Sequence, residues 1–220
     1  MKCFVTGATG YVGNFLIEKL KQSYDVTILV RNQKDYETYQ NLGYKCILAD
    51  LRNPETIKGA FDGIDYVFHL GNIASWWLKR DRDYFDVNVT GTYDLLNSFI
   101  NSNNKKDELN FIFSSSACVY GKPVYLPYDE LHPTNPFNNY GHNKVSIENM
   151  LSKKVRQTDN LKAVSLRYFN PVGAHDSYLI GDSPSGYPEN LMPIINEVAK
   201  KKSSKLEIYG NDYNTPDGTA

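Results

Sequence analysis

The amino-acid sequence predicts an α/β fold built on a doubly wound parallel sheet, and three observations carry that prediction. Short apolar runs rich in β-branched residues alternate with helical patterns, as in successive βαβ units around a buried parallel sheet. A glycine-rich turn joins the first run to the first helix. A row of serines ends a later run, at the strand end where open α/β sheets bind ligands. We expect a sheet of six or seven strands.

The predicted strands are six apolar runs, at residues 3–5, 26–30, 46–48, 66–68, 111–113 and 163–166. The first helix carries apolar side chains at helical spacing from Tyr11 to Leu20 and ends near Tyr24. Further helices are predicted near Pro54 and Asp83, and a last one near residue 139. The helix at Pro54 has strong start signals, because an asparagine cap precedes a proline in the first turn.

The pattern changes near residue 170, where prolines and glycines interrupt the alternation of strands and helices. One helix is predicted at residues 191–200 and one short strand at residues 206–209. We therefore expect two regions, residues 1–169 and residues 170–220.

The composition argues against several classes of function. With 24 Lys and Arg against 25 Asp and Glu, the formal net charge is −1, so no global field would attract nucleic acid or a membrane. Three widely spaced cysteines suit no disulfide framework, and four histidines show no metal-ligand spacing. The N-terminus has neither the layout of a signal peptide nor the length of a membrane span. We expect a cytoplasmic protein with no metal and no nucleic-acid or membrane partner.

The turn after the first predicted strand has the pattern Gly-x-x-Gly-x-x-Gly, at Gly7, Gly10 and Gly13. The first glycine permits the tight turn, the second lets the backbone approach a pyrophosphate, and the third lets helix and strand pack closely. The helix N-terminus, with Tyr11 and Val12 in its first turn, would face the anion. An ordinary strand-to-helix turn is the alternative, but the βαβ unit that follows favours a dinucleotide site.

The end of the second predicted strand bears on which dinucleotide is bound. An acidic residue there would accept hydrogen bonds from the ribose 2′-hydroxyl of NAD, but this chain has Val30 followed by Arg31. The planar guanidinium of Arg31 can pair with the 2′-phosphate of NADP, or it can face solvent and stack on the adenine edge. Both interpretations stay open.

Tyr140 and Lys144 lie four residues apart in a predicted helix and therefore on one helix face. A neighbouring cation favours a phenolate, so we expect Lys144 to lower the pKa of Tyr140 towards that of a general base. Such pairs are common by chance, but this one gains weight from the serine run 114–116 at a predicted strand end. A hydroxyl there can hold a reacting oxygen.

Together these features resemble the extended short-chain dehydrogenase/reductase superfamily, whose catalytic triad has a serine followed by Tyr-x-x-x-Lys; Ser116 is the best-aligned serine. Three further strings, residues 166–175, 188–193 and 208–213, closely resemble those of UDP-glucose 4-epimerases, also called UDP-galactose 4-epimerases. With the glycine turn, the resemblance spans essentially the whole chain.

The resemblance implies a Rossmann domain over residues 1–169, an incomplete substrate-binding region over residues 170–220, and a set of site residues. The expected catalytic residues are Ser116, Tyr140 and Lys144. The expected cofactor-binding residues are Gly7, Gly10, Tyr11, Val12, Gly13, Arg31, Asp50, Leu51, Leu70, Asn88, Tyr140, Lys144 and Tyr168. The expected UDP-sugar contacts are Ser116, Asn170, Asn190, Leu191 and Tyr209.

The implied activity is C4 epimerisation of UDP-glucose and UDP-galactose with bound NAD. Tyr140 takes the proton of the sugar 4-hydroxyl as hydride passes from C4 to the nicotinamide. The 4-keto sugar then rotates and receives hydride on its other face. The cofactor supplies the redox chemistry, and the protein supplies position and proton transfer. A homodimer fits the resemblance and stays open.

Three departures from the epimerases limit this expectation. Arg31 replaces the ribose-binding acid. The loop at residues 70–77 lacks the lysine of the epimerases and, with Trp76 and Trp77, is closer to NADPH-dependent reductases. The family continues beyond residue 219 into a segment whose arginine grips the UDP diphosphate. We therefore expect this chain to bind cofactor better than substrate and to have weak or no epimerase activity, which a UDP-galactose assay tests.

Two other functions stay open. An NADPH-dependent carbonyl reductase, suggested by Arg31 and the Trp loop, predicts net oxidation or reduction of a substrate with exchange of the cofactor. A non-catalytic dinucleotide sensor should be indifferent to replacement of Tyr140 by Phe.

Overall fold

The structure, a computed structural model, describes residues 1–74, 81–103, 106–182, 188 and 190–219. The chain divides into two compact units, residues 1–171 and residues 172–220.

A six-stranded sheet forms the centre of the first unit. Its strands are β1 (Lys2–Thr6), β2 (Asp25–Val30), β3 (Lys45–Leu48), β4 (Tyr66–His69), β5 (Leu109–Ser116) and β6 (Leu161–Tyr168). All pairings are parallel, and the order across the sheet is β3-β2-β1-β4-β5-β6. Each predicted apolar run lies within one of these strands, so the doubly wound fold is confirmed. The order reverses between β1 and β4, and ligands bind outside the carboxyl ends of strands at such a switch point.

The helices of the first unit are α1 (Tyr11–Leu20), α2 (Gln33–Asn41), α3 (Asp81–Tyr84), α4 (Gly91–Ser102) and α5 (Asn139–Gln157). A π-helical turn, Phe85–Thr90, joins α3 to α4 without a break. The helix starts predicted near Asp83 and near residue 139 are confirmed. The helix α2 was not predicted, because none of its residues is buried and its apolar pattern is weak.

The helix predicted at Pro54 is wrong in length, since only one 3-10 turn forms, Pro54–Ile57. Asn53 precedes it but makes no side-chain cap bond. The backbone of Lys58 is extended, and Gly59 has a φ of +75°, so the chain leaves the helical path directly after the turn.

Two apolar layers hold the sheet between helices. On one face, Phe4, Val67 and Phe111 pack with residues of α4 and α5. On the other face, Val5 and Ile28 belong to a cluster with residues of α1. Because β-strands alternate their side chains, neighbouring residues of β1 enter different layers. The packing leaves the carboxyl ends of the strands as the open edge of the sheet.

The second unit contains the helix α6 (Leu191–Ala199), close to the predicted 191–200, and an antiparallel bridge between Ala174 and Gly181. The strand predicted at residues 206–209 is wrong. No strand pairs with this segment in the described part of the unit, and Ile208 is 71% exposed. Among the described residues of the whole chain, no helix is long and apolar enough to cross a membrane.

Candidate active site

The turn between β1 and α1 forms a cradle with no room for side chains. Gly7 has a φ of +70°, and a Cβ atom there would lie 2.7 Å from the backbone nitrogen of Gly71. A Cβ on Gly13 would lie 2.1 Å from the carbonyl oxygen of Gly7, so α1 packs directly on the turn. Gly10 is the N-cap of α1, and no side chain caps that helix. The first-turn amides of Tyr11 and Val12 therefore suit an anion, and the cradle fits a pyrophosphate.

A pocket opens beside this cradle at the carboxyl ends of β1, β2, β3 and β4. Of the residues expected to bind cofactor, Gly7, Gly10, Arg31, Asp50, Leu51 and Leu70 line it. Among the polar lining residues, the sequence reasoning did not single out Thr6, Thr9, Asp35, Arg52 and Asn72. Their positions shortly after predicted strands or within the glycine turn were the available signal, because the carboxyl ends of parallel strands share one edge.

The charges at the β2–β3 end of the pocket are only partly paired. The side chain of Arg52 donates to both carboxylate oxygens of Asp50, the shortest bond being 2.6 Å, and this hydrogen bonding lowers the pKa of Asp50. The carboxylate of Asp35 accepts from Asn32 at 2.8 Å. Arg31 is exposed and has no hydrogen bond or ion pair among the described residues. Arg31 is therefore the cation available for an anionic ligand in this pocket.

Asn72 presents an unsatisfied acceptor in the same pocket. Its Nδ2 donates to the carbonyl of Leu70 at 2.8 Å, while its buried Oδ1 has no partner among the described residues. Buried polar atoms are nearly always hydrogen-bonded, so this oxygen suits a donor group supplied by a ligand.

The three expected catalytic residues meet at the carboxyl end of β5. Ser116 is the last residue of β5, Tyr140 is in the first turn of α5, and Lys144 lies one turn further on. The Ser116 hydroxyl interacts with the Tyr140 phenol and lowers its pKa. The ammonium of Lys144 lies 5.3 Å from the centroid of the Tyr140 ring.

The expected effect of Lys144 on Tyr140 is not observed. Burial raises the pKa of Tyr140 to about 12, the Cys118 thiol adds to this rise, and the interaction with the Ser116 hydroxyl opposes it. Lys144 is itself fully buried, which lowers its own pKa to about 7. Its Nζ donates to the carbonyl of Ser114 at 2.5 Å. A desolvated amine is a weak source of positive charge, so the phenol keeps its proton in the unliganded protein.

A carboxylate one turn beyond Lys144 braces α5 against the sheet. Glu148 accepts from Ser115 Oγ at 2.5 Å and from Arg167 at 2.8 and 3.1 Å. These contacts join α5 to β5 and β6, and they hold the helix face that carries Tyr140 and Lys144 over the end of β5. The sequence reasoning did not identify Glu148, although its spacing of four residues from Lys144 places it on the same face.

Three further expected residues of the first unit, Asn88, Tyr168 and Asn170, are not among the residues that line the pocket. Asn88 is buried and does not line the pocket; its side chain bonds the backbone of Ile73. Tyr168 is the last residue of β6 and pairs in register with Ser116, so it lies next to the catalytic group. Asn170 lies just beyond Phe169, after the end of β6, and is exposed.

The other expected sugar contacts belong to the second unit. Asn190 is the N-cap of α6, Leu191 is its exposed first residue, and the hydroxyl of Tyr209 donates to Glu207 at 2.8 Å. Trp76 and Trp77 lie outside the described residues. Within the residues that are described, no cluster of His, Cys, Asp and Glu could hold a metal ion.

Known proteins resemble this chain in sequence and in fold. Residues 3–220 match the model of the NAD dependent epimerase/dehydratase family. The UDP-glucose 4-epimerase of Homo sapiens is 35% identical over 237 residues, which cover 99% of this chain and 67% of the human protein.

Two solved structures match the whole chain. One is the UDP-glucose 4-epimerase of Stenotrophomonas maltophila with bound NAD and formylated UDP-arabinopyranose, with a TM-score of 0.88, 33% identity and 68% of that chain covered. The other is the UDP-glucose 4-epimerase of Bifidobacterium longum in complex with NAD+ and UDP, with a TM-score of 0.86, 34% identity and the same coverage. The chain thus spans about two thirds of the length of these relatives. The resemblance found in the sequence is confirmed, and this chain belongs to the NAD dependent epimerase/dehydratase family.

Proposed function

We propose that this chain catalyses the interconversion of UDP-glucose and UDP-galactose by epimerisation at C4, with a bound nicotinamide dinucleotide. The observation that carries the proposal is the placement of Ser116, Tyr140 and Lys144 together at the end of β5, on the same sheet edge as the glycine cradle. That arrangement suits removal of a proton from a sugar hydroxyl beside a redox cofactor.

The dinucleotide would be held by the glycine cradle and by the lining residues at the ends of β2, β3 and β4. NAD is the cofactor bound in the two solved relatives. A bound dinucleotide would supply reversible hydride exchange with the sugar C4. The pocket residue Arg31 leaves NADP as a second ligand to be compared with NAD in binding measurements.

Tyr140 is the proposed general base and acid, and Ser116 the group that orients the sugar 4-hydroxyl. Because burial raises the pKa of Tyr140, the base form requires additional positive charge, which a loaded site supplies. Lys144, whose Nζ donates to the Ser114 carbonyl in this structure, would donate to the nicotinamide ribose and add positive charge beside Tyr140. The proton from the 4-hydroxyl moves to Tyr140 as the C4–H bond breaks, and it returns when the 4-keto group is reduced.

The proposed substrate contacts are Asn170 in the first unit and Asn190, Leu191 and Tyr209 in the second. UDP and a UDP-sugar derivative are bound in the two solved relatives, which supports a UDP-sugar as the substrate class. A homodimer and a cytoplasmic location stay predictions, and size-exclusion chromatography with light scattering tests the first.

The test is conversion of UDP-galactose to UDP-glucose by the purified chain with added NAD, followed by NMR. We expect slow but detectable product from the wild-type chain, in keeping with the weak activity expected from the sequence, and a further loss of at least about 100-fold in Tyr140→Phe, the scale of one general base. NAD affinity should be retained in that variant. NAD binding with no conversion by either chain would contradict epimerisation and leave a dinucleotide-binding protein.

A further inference from the structure

A chain of buried hydrogen bonds runs behind the pocket wall that follows β4. The amide of Gly71 donates to Thr6 Oγ1 at 2.9 Å, and Thr6 Oγ1 lies 2.8 Å from His69 Nδ1. On the other side of the ring, His69 Nε2 lies 2.7 Å from Thr92 Oγ1. His69 therefore joins the ends of β1 and β4 to the first turn of α4.

This series of hydrogen bonds ends on the same segment in which it begins, residues 71–73. The Thr92 hydroxyl donates to the carbonyl of Asn88 at 2.5 Å. The side chain of Asn88 accepts from the amide of Ile73 at 2.7 Å and donates to the Ile73 carbonyl at 3.0 Å. The hydrogen bonds and the backbone thus form a closed ring, which is bonded to Gly71 through Thr6 and to Ile73 through Asn88.

The partners determine the direction of every bond in this ring. A carbonyl only accepts, so the Thr92 proton points at Asn88 and the Thr92 oxygen accepts from Nε2–H of His69. A neutral imidazole protonated at Nε2 has its acceptor at Nδ1, which takes the proton of Thr6. The oxygen of Thr6 is then available to the Gly71 amide.

The surroundings of His69 keep it neutral. Thr6, His69, Asn88 and Thr92 are each at most 1% exposed. The imidazole ring lies between Phe111 and Phe113, with ring centroids 5.9 and 6.0 Å away. Burial, and secondarily the charge of Lys144, lower its pKa to about 3. A single tautomer therefore persists at neutral pH.

We infer that His69 is a positioning residue for the dinucleotide, since it locks the segment Leu70–Gly71–Asn72–Ile73 in the form that receives the cofactor. This inference rests on the proposed function. Three residues of the segment line the pocket, and Asn72 carries the unsatisfied acceptor described above. Without His69, the Thr6 hydroxyl loses its acceptor and the Thr92 oxygen loses its donor, so the segment loses its fixed position relative to the glycine cradle.

The test is titration of NAD into purified variants by calorimetry, together with thermal unfolding. His69→Phe keeps a planar aromatic ring but removes both bonds, and we expect the Kd for NAD to rise at least about tenfold. His69→Asn retains an acceptor for Thr6 and should recover part of the affinity. Thr92→Val should act in the same direction as His69→Phe, and the double variant should be no weaker than His69→Phe, because both changes break one ring.

The matched control is Asn103→Leu. Asn103 is also buried, and its side chain makes three bonds, to Gly63 N, Phe61 O and Phe99 O, at the opposite end of β4. This variant should lower the melting temperature while the Kd for NAD stays within about twofold of wild type.

Two results would overturn the inference. One is a Kd for His69→Phe within about twofold of wild type, and the other is an equal loss of affinity in Asn103→Leu. If His69→Phe does not fold, Thr92→Val alone decides in the same way, because its methyl group replaces the hydroxyl with little change of shape. A wild-type chain that does not bind NAD at all would overturn the proposed function, and the positioning role with it.

Discussion

At the scale of single residues, burial shifts the pKa values of Tyr140 and Lys144 more than neighbouring charges do. The spacing of Tyr140 and Lys144 is readable in the sequence, and the structure brings both to the end of β5. Their pKa values were not predictable from that spacing, because they depend on which strand the helix face covers. Lys144 packs 4.6 Å from the centroid of the Phe113 ring and is desolvated there.

Lys144 should therefore couple stability to alkaline pH. Because burial lowers the pKa of Lys144 to about 7, the folded chain binds fewer protons than the unfolded chain between about pH 7 and about pH 10. The contribution of this residue to the free energy of unfolding increases as pH rises through that window and decreases as pH falls. Urea unfolding at several pH values should give a flatter profile for Lys144→Met than for wild type.

The titratable groups that interact with this amine are Glu148, Cys118, Tyr140 and His69, and its other contacts are the Ser114 carbonyl and the Phe113 ring. The control is Lys154→Met, since Lys154 lies on the same helix, is half-buried and donates to Asn97 at 2.7 Å. It should keep the wild-type slope. Equal slopes for wild type and Lys144→Met would contradict the burial of the Lys144 ammonium.

Arg31 should discriminate between dinucleotides. It lines the pocket without an ion-pair partner among the described residues, whereas Arg52 is held by Asp50. Arg31→Ala should raise the Kd for NADP about tenfold, the effect of one charge-assisted hydrogen bond, and leave the Kd for NAD within about twofold. Calorimetric titration measures both. Arg156→Ala, an exposed site on α5, should change neither, and equal losses for NAD and NADP in Arg31→Ala would refute a 2′-phosphate role.

At the scale of elements, the sequence predicts buried strands well and short irregular elements poorly. The six strands are recognisable because a parallel sheet covered on both faces requires continuous apolar runs. The helix expected at Pro54 had correct cap chemistry, but local signals at its start do not reveal where the next residues turn. The strand expected at residues 206–209 had suitable residue types, yet a strand also needs a neighbour to pair with.

One methyl group added at the junction of β1 and α1 should lower both the stability of the protein and its affinity for dinucleotides. Because a Cβ on Gly13 would lie 2.1 Å from the Gly7 carbonyl, Gly13→Ala must push α1 away from the turn. We expect a loss of stability of about 1–3 kcal/mol, typical of overpacking, and weaker binding of NAD and NADP alike. Gly181→Ala is the control, since nothing lies within 4 Å of the added atom. Unchanged NAD affinity in Gly13→Ala would contradict the role of the cradle.

At the scale of the whole molecule, the sheet order places the chemistry. The glycine cradle follows β1, the segment held through His69 follows β4, and Ser116 ends β5. Because these three strands are neighbours in the sheet, the parts of the site lie at one edge of it. The sequence identifies these residues but not the ring that joins them, because Thr6, His69 and Thr92 are far apart in the chain. The second unit is the least predictable part, since its proline and glycine pattern specifies turns rather than packing partners.

The measurement that tests the central claim most directly is the conversion of UDP-galactose in deuterated water with NAD present. A redox route through a bound nicotinamide predicts UDP-glucose without deuterium at C4, because the same hydrogen leaves and returns as hydride. It also predicts that this product depends on Tyr140. Deuterium at C4, or conversion by Tyr140→Phe at the wild-type rate, would contradict the account.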